Sequence, residues 1–221
     1  YTSQYTLSLH DALPIYRHLF SGTNSDTTPY AVTRTNGDIT AVTYNGGSSD
    51  RVIEAAPGVD VTSNYAGDDL FRSNARQAPV FTGDSGAAAG TGTSSVRGDV
   101  WLTITEPASG TYRLSIDDGA SYVDVSVPPG DENTKVTDSV TGRILYVDTT
   151  SITSTGVELV QNPGTYDVFN SLMGLRDILR NERGFSDSEV VDLINDSVSS
   201  LEEVRDLFIG NQVIIGSKIG F

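Results

Sequence analysis

Residues 164–221 read GTYDVFNSLMGLRDILRNERGFSDSEVVDLINDSVSSLEEVRDLFIGNQVIIGSKIGF, and they are the only long stretch of the chain with helical periodicity. Two helices are predicted. The first begins at Thr165 as its N-cap, with Asp167 in the first turn, and ends near residues 181–184, where Gly184 supplies a left-handed conformation. Its apolar residues recur at alternating spacings of four and three, and form a seam of Val168, Leu172, Leu175 and Leu179.

The second helix has two start signals. Ser186 and Glu189 have the spacing of a capping box, and Phe185 and Val190 stand where a hydrophobic staple places its two residues. A 3-4 repeat follows, made of Val190, Ile194, Ser197, Leu201, Val204, Phe208, Asn211 and Ile215. A repeat of this length with charged residues beside it predicts a coiled-coil-like bundle.

The apolar stripe of the second helix is wider than this seam, because Leu193, Leu207 and Ile214 extend it. Two helices cannot cover such a stripe, so we expect neighbours from outside the chain. The alternative is an ordinary helical hairpin packed on the rest of the domain. The first interpretation makes the seam a subunit-packing surface and assigns its residues a packing role without chemistry.

Residues 1–15, YTSQYTLSLHDALPI, are predicted to be non-native. Residues 6–15 are the translation of ACT CTT TCC CTA CAC GAC GCT CTT CCG ATC, which resembles a common short-read sequencing adapter. A signal peptide or short amphipathic helix is disfavoured, because no basic segment precedes the apolar run and Pro14 interrupts it. We therefore expect the native protein to begin at Tyr16, with both ends of the chain truncated.

Composition narrows the possible functions. The formal charge of -15, from dispersed acidic residues, argues against nucleic acid and anionic membrane as partners, and no apolar run reaches transmembrane length. Cysteine is absent, which excludes disulfides and thiol chemistry. His18 is the only histidine outside residues 1–15, so a zinc site or a histidine-activated nucleophile is not expected. We predict no metal, no cofactor and no enzymatic activity.

Residues 31–160 alternate with a period of two and predict a β domain. The Asn36-Gly37 pair has hairpin turn chemistry, although the spacing suggests a loop slightly longer than two residues. Residues 82–95 are small and polar and predict a mobile loop. Candidate strands cover 31–34, 39–44, 51–55, 59–64, 99–105, 111–117, 121–127, 143–148 and 156–160.

Strands 99–105, 111–117 and 121–127 predict an antiparallel meander with one apolar face and one solvated face. Together the segments predict an α+β fold, an antiparallel β-sandwich-like domain inserted before a C-terminal coiled-coil-like helical segment.

Few residues are candidates for catalysis or for ligand binding. A calcium site could be drawn from Asp117, Asp118, Asp124, Asp131 and Glu132, but they lack EF-hand spacing and are better explained as solvated turn carboxylates. No acidic pair stands out for glycoside hydrolysis. The tripeptide at residues 97–99, RGD, is best explained as the junction that leads into a strand. Trp101 and the tyrosines suit either a glycan-stacking patch or ordinary packing in the sandwich.

Several segments resemble the hook-filament junction protein, the third hook-associated protein of the bacterial flagellin family. Residues 16–30, YRHLFSGTNSDTTPY, are similar to the segment that leaves the family's first long helix. Residues 44–46, YNG, and 51–71, RVIEAAPGVDVTSNYAGDDLF, resemble its β segment. Residues 164–179 resemble the return into the helical domain, and residues 210–219 resemble the final helix. Residues 80–145 carry no diagnostic motif.

The resemblance implies a structural protein whose N-terminal and C-terminal segments pair in one helical bundle. Residues 16–30 would be a remnant of the N-terminal helical domain and its connector, and residues 161–221 the C-terminal bundle segment. It further implies an extracellular location in the flagellum, with hook-associated proteins, flagellin and a ring of its own copies as partners. Two alternatives stay open: a flagellin filament subunit, and a carbohydrate-binding or adhesive β domain of a cell-surface protein.

Overall fold

The structure, a computed structural model, describes the backbone of residues 18–219 and the side chains of residues 18–216. The predicted adapter segment, residues 1–15, lies outside this range. The chain divides into two compact units between Leu70 and Phe71. The predicted β region, residues 31–160, is therefore shared between two units.

The first unit contains two antiparallel hairpins. They are built from β1 (Tyr30–Thr35) with β2 (Asp38–Tyr44), and from β3 (Arg51–Ala56) with β4 (Val59–Asn64). The short helix α1 (Gly67–Phe71) follows, and its last residue is the first of the second unit. Asn36 and Gly37 alone connect β1 to β2, with φ angles of 53° and 93°. Positive φ at both positions is typical of a two-residue type I′ turn. The prediction of a longer loop was wrong, because the Asn-Gly pair closes the hairpin without extra residues.

The second unit contains two antiparallel sheets. The larger has five strands in the order β5 (Val80–Thr82), β12 (Gly156–Asn162), β7 (Gly98–Ala108), β8 (Thr111–Ser115) and β9 (Val123–Ser126). The smaller has three, in the order β10 (Thr134–Thr137), β11 (Ile144–Asp148) and β6 (Ala88–Ala89). The meander β7-β8-β9 agrees with the prediction.

The two sheets enclose one apolar core. Leu102, Ile104 and Leu114 of the larger sheet are at most 1% exposed, and Leu145 and Val147 of the smaller sheet are fully buried in the same cluster. Their alternation along each strand places one face of each sheet in the core. The predicted β-sandwich-like α+β fold is confirmed.

Three strands were not predicted from the sequence: β5, β6 and β10. Residues 82–95, expected to be a mobile loop, contain β6 and are fixed to β11. The Ile144 amide donates to Ser95 Oγ at 2.8 Å, and the Tyr146 amide donates to Ser94 Oγ at 3.0 Å. Small polar residues carry no apolar alternation, so side-chain hydrogen bonds of this kind leave little trace in the hydropathy pattern.

Two helices complete the second unit, α2 (Val168–Arg180) and α3 (Asp187–Ile219). They pack on the face of the larger sheet that points away from the sandwich core, where Leu159, Ile178 and Leu193 form a second apolar cluster. The sequence predicted that this face of the meander is solvated, which is wrong at β7, where Trp101 packs against this cluster. None of the helices that the structure describes is long and apolar enough to cross a membrane.

Candidate subunit-packing surface

The start of α2 is fixed by Asp167, which is the N-cap. Its Oδ1 accepts a hydrogen bond from the Asn170 amide at 2.8 Å. The sequence assigned this role to Thr165, which is wrong. Thr165 Oγ1 instead donates to the carbonyl of Asn162 at 2.6 Å and accepts from the Gly98 amide at 2.9 Å. Thr165 therefore ties the connection before α2 to β7, and the carboxylate two residues later caps the helix.

The turn between α2 and α3 combines a left-handed cap with a capping box. Asn181 ends α2 with φ of 49°, so an asparagine, rather than the predicted glycine, is the left-handed cap residue. Gly184 also has positive φ, at 75°. The Ser186 amide donates to Glu189 Oε2 at 2.8 Å, and the Glu189 amide donates to Ser186 Oγ at 3.4 Å. The capping box predicted from the sequence is present.

The inward side of α2 differs from the predicted seam by one position. Ile178 and Ser171 are 2% exposed and face the sheet. Gly174 lies on the same side, where a Cβ atom would stand 3.6 Å from Asp99 Oδ2. The predicted residues Val168 and Leu175 are half-buried, whereas Leu172 is 54% exposed and Leu179 is 61% exposed.

Ile178 was missed because serine and glycine interrupt its row, so the pattern of large apolar residues favoured the adjacent row. Small residues that allow close approach of helix and sheet were the signal that could have indicated it.

The first half of α3 is used within the chain. Val204 is 4% exposed, and Val190, Ile194 and Leu201 are half-buried. Val190 and Ile194 pack against the cluster of Leu159, Ile178 and Leu193. These predicted packing residues therefore stabilise the domain itself.

Two serines allow α3 to approach its neighbours closely. Ser197 and Ser200 are at most 1% exposed. Ser197 Oγ donates to the Leu193 carbonyl at 2.9 Å, and Ser200 Oγ donates to the Ser197 carbonyl at 2.8 Å. Both hydroxyls are satisfied by the backbone of their own helix, so burial leaves neither unpaired.

The second half of α3 is more exposed. Phe208 is 37% exposed, with its ring edge-on to Phe71 at a centroid distance of 5.7 Å. The predicted packing residue Ile215 is half-buried.

Four exposed apolar side chains of α3 lie on one face of the helix, and we call them the outer stripe. Their exposed fractions lie between 47% and 66%, and the outer stripe consists of Val191, Val198, Ile209 and Val213. The spacings of 7, 11 and 4 residues each approximate whole helical turns, so the four side chains share one face. At about 1.5 Å per residue the stripe is roughly 33 Å long. It lies beside the predicted seam and was missed because the seam contains more apolar residues.

A buried carboxyl group lies beneath the start of α2. The Tyr166 hydroxyl donates to Asp99 Oδ1 at 3.0 Å. Burial raises the pKa of Asp99 to about 6, the hydrogen bond from Tyr166 partly offsets this, and the charge of Asp196 raises it further. Burial and the neighbouring Asp99 also raise the pKa of Tyr166. Asp99 is the third residue of the RGD tripeptide, and Gly98, the second, is the first residue of β7, as predicted for a strand junction.

Asp117 and Asp124, two of the acidic residues considered for calcium, have structural partners within the chain. Asp117 accepts from the amides of Ser121 and Ser139, at 2.8 and 2.9 Å, so it fixes two loops. Asp124 forms an ion pair with Arg113 at 2.7 Å. Within the described residues, no group of three or more His, Asp or Glu side chains could hold a metal ion.

Trp101 is packed rather than open to a ligand. Its ring stacks on Phe185 at a centroid distance of 5.6 Å, and the guanidinium of Arg183 lies 4.9 Å from the ring centroid. The structure thus favours packing over a glycan-stacking patch for this residue.

Comparisons with known proteins give structural similarity only. No protein-family model matches the sequence, and no curated protein matches it. The chain is similar to the crystal structure of FlgL from Xanthomonas campestris, with 16% identity and a TM-score of 0.48 over 92% of this chain and 67% of that one. It is similar to the flagellar junction protein FlgL from Legionella pneumophila, with 16% identity and a TM-score of 0.46 over 92% and 67%.

Flagellar hook associated protein-3 from L. pneumophila is also similar, with 18% identity and a TM-score of 0.44 over 92% of this chain and 65% of that one. The chain thus spans about two thirds of the length of these structures. Two of these structures are described as the hook-associated or junction protein that the sequence motifs resemble.

Proposed function

We propose that the chain is a structural subunit of the bacterial flagellum that joins hook to filament, and that it does so by packing helices against neighbouring subunits. It acts outside the cell as an adaptor, with hook-associated proteins on one side and flagellin on the other. The outer stripe, together with Leu172, Leu179 and Phe208, makes the contacts. No step of this function requires a catalytic residue or a cofactor.

The outer stripe is the observation that carries this proposal. Four large apolar side chains lie on one face of α3, and each is about half exposed. Single exposed apolar residues are ordinary, but several on one face of a helix are typical of a protein-protein interface. Burying a Val or Ile side chain completely contributes about 1.5–3 kcal/mol. Covering the rest of these half-exposed side chains therefore contributes several kcal/mol towards binding a helix of a neighbouring subunit.

The sequence motifs indicate which assembly this is. Residues 16–30, 44–46, 51–71, 164–179 and 210–219 resemble the junction-protein family in the order that the family has them. In that family the helical segments pack with adjacent subunits. The stripe lies on α3, within the segment that the resemblance assigns to this bundle.

The test replaces the native gene, in the organism that encodes the chain, with the double variant Ile209→Asp and Val213→Asp. We expect hooks without attached filaments. The variant loses the burial of the Ile209 and Val213 side chains, and the two carboxylates that replace them must be desolvated in an apolar interface. Ser199→Asp is the matched control, since it places the same charge at an exposed polar position of α3 outside the stripe. Normal filaments in the double variant contradict the proposal.

A second measurement separates this function from its alternatives. Immunogold labelling of the native chain is expected at a single band where the filament leaves the hook. Gold along the whole filament indicates a flagellin subunit. Gold on the cell body, away from any flagellum, indicates the adhesive surface domain.

A further inference from the structure

Four arginines from three separate segments of the second unit lie near the end of β12. We call Arg72, Arg76, Arg97 and Arg143 the arginine cluster. They are four of the fourteen Lys and Arg residues of a chain that has twenty-nine Asp and Glu residues. Each side chain is half-buried, so it is packed against its surroundings and stays partly in contact with solvent. Four like charges in one place repel one another unless anions offset them.

The backbone holds the first of these segments against the connection between β12 and α2. The Gln77 amide donates to the Pro163 carbonyl at 2.9 Å. A Cβ atom at Gly164 would overlap the carbonyl of Ala75, so the two segments are in direct backbone contact. Arg76 lies between Ala75 and Gln77 and is therefore fixed beside the residues that follow β12.

The other two segments meet at the same place. Arg97 precedes Gly98, which pairs with the last residue of β12. The Val96 amide donates to the Ile144 carbonyl at 3.2 Å, so the chain that leads into Arg97 runs beside Arg143. The larger sheet and the smaller sheet thus each contribute an arginine to the cluster.

The charges of the cluster act on one another. Burial, and then the positive charges of Arg97 and Arg143, lower the pKa of Arg76. Burial, and then the positive charges of Arg97 and Arg72, lower the pKa of Arg143. The guanidinium groups are therefore near enough to repel one another, in agreement with the backbone contacts.

The carboxylates beside the cluster do not balance its charge. Asp167 lies 3.6 Å from Arg72 and also caps α2. Asp138 is the other carboxylate whose charge acts on Arg143. Among the described residues, no carboxylate lies within ion-pair distance of the three arginines other than Arg72. Four guanidinium groups and these two carboxylates leave an excess of two positive charges.

One donor of the cluster lacks an acceptor. Nη1 of Arg76 is buried and has no hydrogen-bond partner among the described residues. Glu203 bonds the Gly164 amide through Oε2 at 2.9 Å, but its Oε1 makes no bond to Arg76 and is itself unpaired within the described chain. A buried charged donor without an acceptor costs free energy, which an incoming acceptor recovers.

We propose that the arginine cluster binds one small tetrahedral oxyanion with two negative charges, phosphate or sulfate. Its charge matches the excess of the cluster. A guanidinium group presents a planar fork that can bond two oxygens at once, and forks from three segments suit an ion whose oxygens point in four directions. Chloride and acetate carry a single charge, and the two oxygens of acetate lie in one plane.

The net charge of the chain does not prevent this binding. A charge of -15 repels anions at long range. At about 0.15 M salt the Debye length is roughly 8 Å, so this repulsion is screened while groups in contact are screened less. The site uses no residue of the outer stripe and does not depend on the proposed function.

The test is isothermal titration calorimetry of the full chain with inorganic phosphate at pH 7.5, with sodium chloride holding the ionic strength at about 0.15 M. We expect one phosphate per chain with a Kd of about 1 mM or lower. Sulfate should bind similarly, and acetate should give no binding heat. At phosphate ten times above Kd, the melting temperature should rise by about 3–5 °C.

Variants of the cluster assign the binding to these residues. Arg97→Gln with Arg143→Gln, and separately Arg76→Gln, are each expected to weaken phosphate binding about 10-fold or more. Arg143→Lys keeps the charge and most of the stem, so it folds even where the double variant does not. It should weaken binding about 3-fold or more, since lysine lacks the fork. Arg113→Gln removes a charge outside the cluster and should bind phosphate like the wild type.

Three outcomes overturn the proposal: no binding heat up to about 20 mM phosphate, an equal response to acetate at the same ionic strength, or cluster variants that bind like the wild type. Glucose 6-phosphate distinguishes a free ion from the phosphate group of a sugar. Weaker binding than inorganic phosphate supports the free ion. Binding that is about 10-fold tighter overturns it and indicates a phosphorylated sugar.

Discussion

Large apolar side chains are buried in the sandwich core but exposed in the outer stripe of α3. In the sandwich, Leu102, Leu114 and Leu145 are fully buried between two sheets. On α3, Ile209 and Val213 are 53% and 66% exposed. Both regions belong to the second unit of the chain. The apolar surface of the sandwich is buried within the chain, whereas the outer stripe of α3 stays exposed in the single chain.

Under the proposed function, this difference separates residues that fold the chain from residues that join it to neighbouring subunits. A buried leucine contributes to the free energy of unfolding of the single chain, because unfolding exposes it to water. A half-exposed residue contributes less to folding and more to association. Substitutions in the two regions should therefore affect different measurements.

The largest expected effect comes from a matched pair of leucines. Leu102→Ala should lower the free energy of unfolding by about 2–5 kcal/mol, because it leaves a cavity in the sandwich. Leu172→Ala, at an exposed position of α2, should change it by no more than about 0.5 kcal/mol. Urea unfolding followed by circular dichroism measures both. Equal losses in the two variants would show that α2 is as deeply packed as the sandwich.

The sandwich was predictable because its strands alternate strictly. Every second residue from Val100 to Ile104 and from Tyr112 to Ile116 is apolar, and each of these strands was predicted within a few residues. Strands β5, β6 and β10 were missed, because they have four residues or fewer and little apolar alternation. Their positions depend on tertiary hydrogen bonds, which a hydropathy pattern does not record.

The helices that carry the candidate surface were predictable from the sequence, but the side of each helix that packs on the sheet was not. The two helices, the capping box and the turn between them follow from local signals. Ile178 and the outer stripe do not, because the side of a helix that packs is selected by the sheet beneath it. Asp99 illustrates this constraint, since it lies beneath α2, where a Cβ atom at Gly174 would stand 3.6 Å from its Oδ2. The sequence predicted neither the burial of Asp99 nor its contact with Tyr166.

Asp99 lies on the larger sheet beneath the start of α2, and it should make the free energy of unfolding depend on pH. Its folded-state pKa of about 6 is above the ordinary value of 3.8, so the folded chain binds this proton more tightly than the unfolded chain. Stability should therefore decrease as the pH rises from about 4 to about 6. Asp99→Asn removes this loss, and we expect a gain of about 1–3 kcal/mol at pH 7.

The measurement that checks the effect of Asp99→Asn is the difference in unfolding free energy between variant and wild type from pH 4 to pH 7. Asn retains an Oδ1 that accepts from the Tyr166 hydroxyl, so the contact at 3.0 Å is preserved. Asp124→Asn, at an exposed residue paired with Arg113, is the control. A difference that does not change with pH would contradict the raised pKa.

A smaller effect is expected at the start of α3. Ser186→Ala removes the hydroxyl that caps the Glu189 amide, and should cost about 1 kcal/mol. Because α3 is 33 residues long and packed along its first half, the loss should be confined to its first turn. Amide hydrogen exchange is expected to increase at residues 187–190 and to remain unchanged in the sandwich. Ser188→Ala, at an exposed position beyond the cap, is the matched control.

The smallest effect on the single chain is expected from Val213→Ser. The side chain is 66% exposed, so its replacement should change the unfolding free energy by less than about 0.5 kcal/mol. Its effect should instead appear in the assembled flagellum, as filaments that detach from the hook under shear more readily than those of the wild type. Val140→Ser is the control, since Val140 is 86% exposed but lies outside the helices. If Val213→Ser destabilised the isolated chain as much as Leu102→Ala, the stripe would belong to the folding core, and the distinction between a closed sandwich and an open helix would fail.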